Sequence, residues 1–390
     1  MSDTDTALVD SLKVLDPERP IREATELLRR REMTRGAVSR HCGVFQKHGN
    51  LTSFGAIRGH AMKLLRRQLL QIAGAAAFDP AFFLFANFAN AATWPNRVVK
   101  FIVPYPPGGS NDPVARVVGS RLSDIWGQPV VIENRTGAGG MIAAQYVTQS
   151  LPDGYTQLVA GDGLATMPFL YSSLSFDPIN DLVPVIRICT YANVMVVPNS
   201  SPVKSFKEFV DYANAHRGKL TFASSGAASA PHLSGELFKL KSGIELSHVP
   251  YRGGGPALTD LMAGRVDVMF ATAPTVLGQI RSGTIRAIAV TSKARDILLP
   301  GVPTIAESGV PDYEFTSWFA LFLPTKIPGE IVKKVHDDTA AALAEPQVKQ
   351  RLADLGLTVA IGTGAEVTGD LKSASQKWGP IIKQAGIKAE

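Results

Sequence analysis

The sequence predicts an α/β protein whose chain forms two lobes. From Trp94 onward, short β-rich runs alternate with segments of helical spacing, which is the pattern of an α/β fold. The roughly 300 residues of this part exceed the usual size of a single core. Turn-rich stretches near 196–205 and 311–318 mark changes of lobe. We therefore expect residues 92–197 and 317–390 to form lobe one, and residues 198–316 to form lobe two.

Nine short runs rich in apolar and β-branched residues are predicted strands. They cover 98–103, 129–134, 156–161, 194–199, 219–224, 245–250, 266–271, 286–292 and 317–324. Cys189, in the run VIRICTY, is expected to be a small buried strand residue.

Capping residues predict where the helices begin and end. In a helix predicted over 112–126, Asp112 is the expected N-cap and Pro113 the first helical residue. Ser205 and Glu208 form a capping box that opens a helix ending by Gly218. Further helices are predicted to start near Pro231, to run from Pro256 to Gly264, and to fill the tail from Pro328 with a break around Pro346.

The charge is concentrated in the N-terminal part of the chain. Residues 1–91 hold 13 Lys and Arg against 9 Asp and Glu, which leaves 27 against 25 for residues 92–390. That second part contains no long basic run, so the electrostatic signature of a nucleic-acid-binding protein is missing. The two cysteines, Cys42 and Cys189, give no disulfide framework and no zinc pattern. We predict no metal site and no cofactor.

Residues 62–91 have the organisation of an export signal. A basic start with Lys63, Arg66 and Arg67 precedes an alanine-rich apolar segment, and Ala89-Asn90-Ala91 fits a cleavage site. The pair of arginines also suits a twin-arginine signal. A membrane anchor is the alternative, but Asp79-Pro80 interrupts the apolar run. We interpret residues 1–61 as a spurious or disordered leader; a real cytosolic segment is the alternative.

Three loops share one pattern, in which a strand is followed by small residues and then a helix. They lie in the segments FIVPYPPGGSNDPVAR, LTFASSGAASAPHLSGELF and SHVPYRGGGPALTDLMAG. Small residues let a ligand approach the backbone, and the first N–H groups of a helix favour anions. Ordinary turn chemistry is the alternative, in which Asp112 and Ser229 only cap their helices. Charged side chains are few here: Arg135, Arg252, Asp112 and Asp162. Scarce cations favour a small anion over a polyphosphate.

Common catalytic motifs are missing from the chain. The first glycine loop lacks GxGxxG, although Glu133 falls about where a dinucleotide-binding acid would lie. The sequence also has no GxxxxGK[ST] loop and no GxSxG elbow. His232 is a tempting base, but it follows Pro231 in a predicted first helical turn, which favours a structural role.

From Trp94 to the C-terminus, the chain resembles the Bug family, the extracytoplasmic solute receptors of tripartite tricarboxylate transporters. The resemblance rests on a series of motifs in order: WPNRVVKFIVPYPPGGSND, GQPVVIENRTGAGG, PDGYTQLVAG, SSGAASAPHLSGELF, HVPYRGGGPALTDLMAGRVDVMF and LPGVPTIAESG. It implies a type II periplasmic binding protein fold, the two-lobed "Venus flytrap", that closes on a small carboxylate such as a dicarboxylate, an amino acid or an aromatic acid.

The resemblance also implies which residues bind the ligand. The carboxylate would lie against Pro107, Gly108, Gly109, Ser110 and Asp112, and against Ser225, Gly226, Ala228 and Ser229. The rest of the pocket would be shaped by Tyr105, Gly163, Thr166, Tyr251, Gly253 and Thr272. Ala228 stands where the family often has a second glycine, and Thr136 where proline is frequent.

We therefore predict a non-catalytic, periplasmic solute receptor. Its expected partners are the small carboxylate and the membrane permease subunits of the transporter, with no nucleic acid, and the receptor is expected to be a monomer. Two alternatives stay open: a sensor that feeds a signalling partner, and an exported enzyme.

Overall fold

The structure, a computed structural model, describes residues 94–227, 229–384 and 386–388. The predicted leader (1–61) and export signal (62–91) lie outside the described residues. Within the described part, no helix combines the length and the apolar character needed to cross a bilayer.

Ten strands are present in the described residues. They are β1 (Val99–Val103), β2 (Val130–Asn134), β3 (Thr156–Gly161), β4 (Leu182–Pro198), β5 (Thr221–Ser224), β6 (Ser247–Pro250), β7 (Val268–Thr272), β8 (Ile285–Val290), β9 (Thr316–Pro324) and β10 (Thr358–Thr363). All nine predicted strands are confirmed, but β4 starts twelve residues before the predicted 194. The tenth strand, β10, lies in the tail that the sequence predicted as helical.

The helices are α1 (Asn111–Trp126), α2 (Met141–Thr148), α3 (Met167–Leu170), α4 (Phe206–Ala215), α5 (Ala230–Ser242), α6 (Gly254–Met262), α7 (Ala273–Arg281), α8 (Gly329–Ala344), α9 (Pro346–Asp354) and α10 (Gly364–Gln384). Short 3₁₀ turns, Ala138–Gly140 and Asp162–Thr166, precede α2 and α3. The Ser205 cap is confirmed, since its hydroxyl accepts from the Glu208 N–H at 3.2 Å.

The expected N-cap of α1 is wrong. Ser110 occupies the N-cap position, and Asp112 lies inside the first turn. The Asp112 carboxylate instead accepts hydrogen bonds from Arg116, one turn further along the helix, at 2.8 and 3.0 Å. Asp112 therefore stabilises the first turn through an i, i+4 pair of opposite charges and not as an N-cap.

The strands form two groups that share β4. The order is β2-β1-β3-β9-β4-β7-β5-β6, with β8 and β10 also paired to β4. The first part of β4, up to Ala192, pairs antiparallel with β9. From Asn193 onward, β4 pairs with β7, and from Val194 also with β8. One continuous strand therefore passes from one group of strands into the other.

Helices cover the sheet and bury its apolar side chains. Val114, Val118 and Leu122 of α1 share one face at helical spacing and are fully buried in the cluster that contains Phe101 of β1. Each such side chain contributes about 1.5–3 kcal/mol when it is fully buried. Cys189 of β4 is also buried, as expected, and burial raises the pKa of its thiol to about 12.

The ends of the parallel strands determine where a site can form. In one group, β1 is parallel to β2 and β3; in the other, β5 is parallel to β6 and β7. Loops that leave the carboxyl ends of parallel strands lie at the same edge of a sheet, which is the usual position of a ligand crevice.

Candidate functional site

Loops from both groups of strands line a small, partly open cavity of about 40 Å³, room for roughly three water molecules. Its wall contains Tyr105 and Ser110 before α1, Asp162 and Gly163 after β3, Ser225 and Ser229 before α5, and the rings of Tyr191 and Phe319. The rings of Tyr191 (β4) and Phe319 (β9) stack with their centroids 4.5 Å apart.

The first loop is held by its own backbone and by Asp112. The Gly109 N–H donates to the Pro106 carbonyl at 3.0 Å, and Gly108 adopts a positive φ of 77° that favours glycine. The Gly108 N–H donates to the Asp112 carboxylate at 3.2 Å. Hydrogen bonds inside the loop thus leave the helix start at Ser110 facing the cavity.

Asp112 is a support of this loop. Its carboxylate also accepts from the Asn134 amide at 3.1 Å. Burial opposes ionisation of this group, but the hydrogen bonds from Arg116, Asn134 and Gly108 outweigh burial and hold the pKa of Asp112 below its usual value. The carboxylate is not part of the cavity wall.

The second loop places the start of α5 on the opposite wall. The Ser229 hydroxyl accepts from the His232 N–H at 3.4 Å and donates to the Gly226 carbonyl at 2.7 Å. Ser229 is therefore the N-cap of α5 and a wall residue at once. Ser224 holds the same turn, because its hydroxyl accepts from the Gly226 N–H at 3.2 Å.

The third loop packs against the first. A Cβ placed on Gly253 would lie 3.0 Å from Cδ of Pro106, and Gly253 has a φ of 118°. Gly254, at the start of α6, lines a narrower cleft that adjoins the cavity. These contacts bring the third loop against the first and beside the cavity.

The described residues that the sequence predicted for the site lie around three spaces, and some of them lie outside all three. Tyr105, Ser110, Gly163, Ser225 and Ser229 line the cavity. Gly109 and Thr272 line the narrower cleft, together with Tyr105, Ser110 and Ser225. Gly226 and Tyr251 line an outer groove, with Tyr105 and Ser225.

The remaining predicted residues are not in these walls. Pro107 and Gly108 are exposed at the loop tip. Asp112 supports the loop, and Gly253 contacts Pro106. The Thr166 hydroxyl donates to the Gly163 carbonyl at 2.8 Å, so Thr166 stabilises the 3₁₀ turn behind the wall. Ala228 lies outside the described residues.

Several wall residues were missed as binding residues by the sequence reasoning. The main ones are Asn111, Gly139, Gly140, Asp162, Tyr191 and Phe319. The sequence did indicate a site position for Asp162, because this acid directly follows the end of the predicted strand 156–161. Tyr191 carried no signal for a binding role: it ends the run VIRICTY, and its stacking partner Phe319 lies far away in the chain.

The cavity wall offers helix ends and hydroxyls in place of basic side chains. None of the described residues in that wall is Lys, Arg or His. The N-termini of α1 and α5 open onto it, and each carries about half a positive charge. The one charged group is Asp162, and its burial raises the pKa of the carboxyl group to about 6. Burial also raises the pKa of Tyr105.

The outer groove has a different character. It is an open space of about 880 Å³ that reaches the cavity wall at Tyr105 and Ser225. His232 and His248 stack in it with ring centroids 3.7 Å apart, and Nε2 of His248 lies 2.7 Å from the Ser224 hydroxyl. Burial, and then the neighbouring His232, lower the pKa of His248 to about 3, so this ring stays neutral.

Known proteins match most of the described chain. A sequence model of the TctC family, the tripartite tricarboxylate transporter family receptor, matches residues 114–387. Protein BugT of Bordetella pertussis is 36% identical over 305 residues, which cover 77% of this chain and 92% of BugT.

Two solved structures from Rhodopseudomonas palustris are similar to this chain. Rpa4515 with adipate is 37% identical with a TM-score of 0.73, and the match covers 76% of this chain and 99% of Rpa4515. MatC with bound malate is 31% identical with a TM-score of 0.69, and the match covers 74% of this chain and 100% of MatC.

These matches confirm the resemblance found in the sequence motifs and the two-lobed α/β class. The chain belongs to the TctC family of tripartite tricarboxylate transporter receptors, whose members are periplasmic solute-binding proteins and not enzymes.

Proposed function

We propose that this protein binds a small carboxylate in the cavity between its two groups of strands and delivers it to the membrane permease of a tripartite transporter. The observation that carries the proposal is the pair of helix N-termini, those of α1 and α5, that open onto one cavity from the two groups. Backbone N–H groups and hydroxyls there suit a carboxylate better than a polyphosphate, which needs more cations.

The size of the cavity implies that binding requires movement. A space of about 40 Å³ holds a few waters but no six-carbon acid such as adipate. The two walls belong to different groups of strands, so separating the groups enlarges the cavity and closure buries the ligand. A ligand that touches both walls favours the closed state by its extra contacts there.

We propose the lobe ranges predicted from the sequence, 92–197 with 317–390 and 198–316, as the two moving bodies. Strand β4 passes between both groups and can act as a hinge; its change of pairing partner, from Ala192 to Asn193, lies five residues before the predicted boundary at 197.

The proposed ligands include several kinds of small carboxylate. The relatives Rpa4515 and MatC hold adipate and malate, which supports dicarboxylates first. Amino acids and aromatic acids remain in the proposed range.

A thermal-shift screen of the full chain tests the proposal. The panel is adipate, malate, succinate, glutarate, citrate, aspartate, glutamate and benzoate, with adipamide as an uncharged counterpart of adipate and ATP as a polyphosphate. An acid present at 100 times its Kd stabilises the protein by about 2.7 kcal/mol. Stabilisation by ATP and by none of the acids would overturn the proposal.

A matched pair of glycine variants locates the binding site. In Gly109→Val, the new Cβ would lie 3.0 Å from the Pro106 carbonyl oxygen, and the methyl groups would enter the cleft beside the cavity. We expect this variant to fold and to lose the ligand-induced shift. Gly278→Val is the control, because Gly278 lies exposed on α7 with open space around it. Equal shifts in both variants would remove the first loop from the site.

We infer that the protein reaches the periplasm through a cleaved signal at residues 62–91, of the twin-arginine or the general type, and acts there as a monomer. The basic start, the apolar segment and the Ala89-Asn90-Ala91 site support this route. Mass spectrometry of the native protein is expected to find an N-terminus near Ala92. Peptides from residues 1–61 in the exported protein would contradict cleavage.

A further inference from the structure

Asp162 is an unusual group for the wall of an anion site. The residue is 6% exposed and lines the same cavity as the helix ends that favour an anion. It accepts a hydrogen bond from the Ser317 hydroxyl at 2.7 Å, and further ones from its own N–H and that of Gly163. All of these donors are neutral.

Among the described residues, no basic side chain is ion-paired with Asp162. The titratable groups that face it are Tyr105 from the first loop and Tyr191 from β4. From α10, Lys377 lowers the pKa of Asp162 by its charge, but it is an exposed residue whose amine lies over the Trp378 ring, and the burial of Asp162 outweighs it. In the described part of the chain, no Lys, Arg or His forms an ion pair with Asp162.

A ligand carboxylate in this cavity would therefore meet a buried carboxylate. Two carboxylates that share a dry site do not both stay ionised, because like charges there repel strongly, and one of them takes a proton. A ligand that brings its own hydrogen-bond donor, such as an ammonium or hydroxyl group beside its carboxylate, meets the Asp162 oxygen without this penalty.

We propose that Asp162 is a specificity-determining residue: it requires a hydrogen-bond donor at its part of the cavity wall, supplied either by the ligand or by a proton taken up with the ligand. This inference rests on the proposed binding of a carboxylate. A plain dicarboxylate then binds together with one proton that the Asp162–ligand pair shares. An amino or hydroxy acid binds with little or no proton uptake.

Calorimetry of the full chain tests this inference. We measure binding of the panel acid with the largest thermal shift, and of its amino- or hydroxy-substituted counterpart, at about pH 5.5 and about pH 8. Repeating each titration in buffers of different ionisation enthalpy gives the number of protons taken up per ligand. This number comes from the unmodified protein, so it does not depend on any variant folding.

The variant Asp162→Asn then assigns the proton to this residue. In the unmodified protein, the Kd of a plain dicarboxylate is expected to rise by up to about tenfold per pH unit above about pH 6. In Asp162→Asn, the Kd should be flat over this range, proton uptake should vanish, and the preference for the amino or hydroxy acid should fall. Asp211→Asn, at an exposed acid on α4, is the control and should keep the pH dependence.

The outcomes separate this inference from the function on which it rests. If no acid of the panel binds at either pH, the proposed function fails, and the inference fails with it. If an acid binds with no proton uptake and Asp162→Asn keeps the same pH profile and ligand preference, the inference alone is overturned.

Discussion

Replacing Asp162 by asparagine in the ligand-free protein should stabilise it at neutral pH. The carboxylate is buried and forms no ion pair within the described residues, so its charged form is less stable in the folded protein than in water. The asparagine side chain would have nearly the same shape and would still offer an oxygen to the Ser317 hydroxyl. The substitution therefore removes the charge and retains that hydrogen bond.

The size of the effect follows from the pKa of this group. The pKa of Asp162 rises from 3.8 to about 6 on folding. Because the folded pKa is the higher one, folding loses stability as the pH rises from about 4 to about 6, and the loss stays complete above that range. A shift of about two pKa units corresponds to roughly 3 kcal/mol. This is a substantial fraction of the usual 5–15 kcal/mol of a folded protein.

Urea unfolding at a series of pH values measures this difference. At about pH 4, the free energies of unfolding of the two proteins should be close. At about pH 7, Asp162→Asn should exceed the unmodified protein by up to roughly 3 kcal/mol, and the gap should open between these two values. A gap that does not change with pH, or an asparagine variant that is less stable at pH 7, would refute the reasoning about the buried charge.

Three further outcomes test the fold. Thr291→Val should lower the free energy of unfolding, measured in urea, by about 1–3 kcal/mol. The lost hydroxyl is hydrogen-bonded to two buried backbone groups, one of them the Phe315 carbonyl. An unchanged urea midpoint would contradict this. Ser205→Ala should lower the free energy of unfolding in urea by about 1 kcal/mol, since it removes the hydroxyl that accepts the hydrogen bond from the Glu208 N–H. Cys189 should resist iodoacetamide in the native protein, as shown by peptide mapping, because burial raises the pKa of its thiol to about 12.

Local sequence signals were enough for most of the fold. The strand runs that end at Gly or Pro, and the Ser205 capping box, correspond to elements of the structure because short-range chemistry sets them. Each of the three glycine loops leaves the carboxyl end of a parallel strand (β1, β5 or β6), which the strand-loop-helix pattern already indicates.

The misses in the fold have a common physical cause. The first part of β4 contains Pro184, and its pairing with β9 shifts register twice, so no regular alternation marks it. Strand β10 lies at an edge and buries only Gly362 fully, so its pattern carries little signal. Both segments become strands through pairing with distant parts of the chain.

Only part of the cavity wall could be predicted from the sequence, because the wall also combines distant parts of the chain. Ser110 and Ser225 follow from the loop motifs, but the stacked pair of Tyr191 and Phe319 joins residues from two different strands. Asp112 and Asp162 were equally prominent acids beside the loops. Arg116, one turn along the same helix, pairs with the first, whereas only tertiary structure shows that the second is buried with no ion pair among the described residues.

The position of a bound acid in a crystal structure tests the central claim most directly. The protein should be crystallised with the panel acid that gives the largest thermal shift. We expect one ligand carboxylate within hydrogen-bond distance, directly or through one water, of the helix starts at Ser110 and Ser229, with Asp162 beside it. An acid bound only in the outer groove, near His248 and Arg252, would contradict the account.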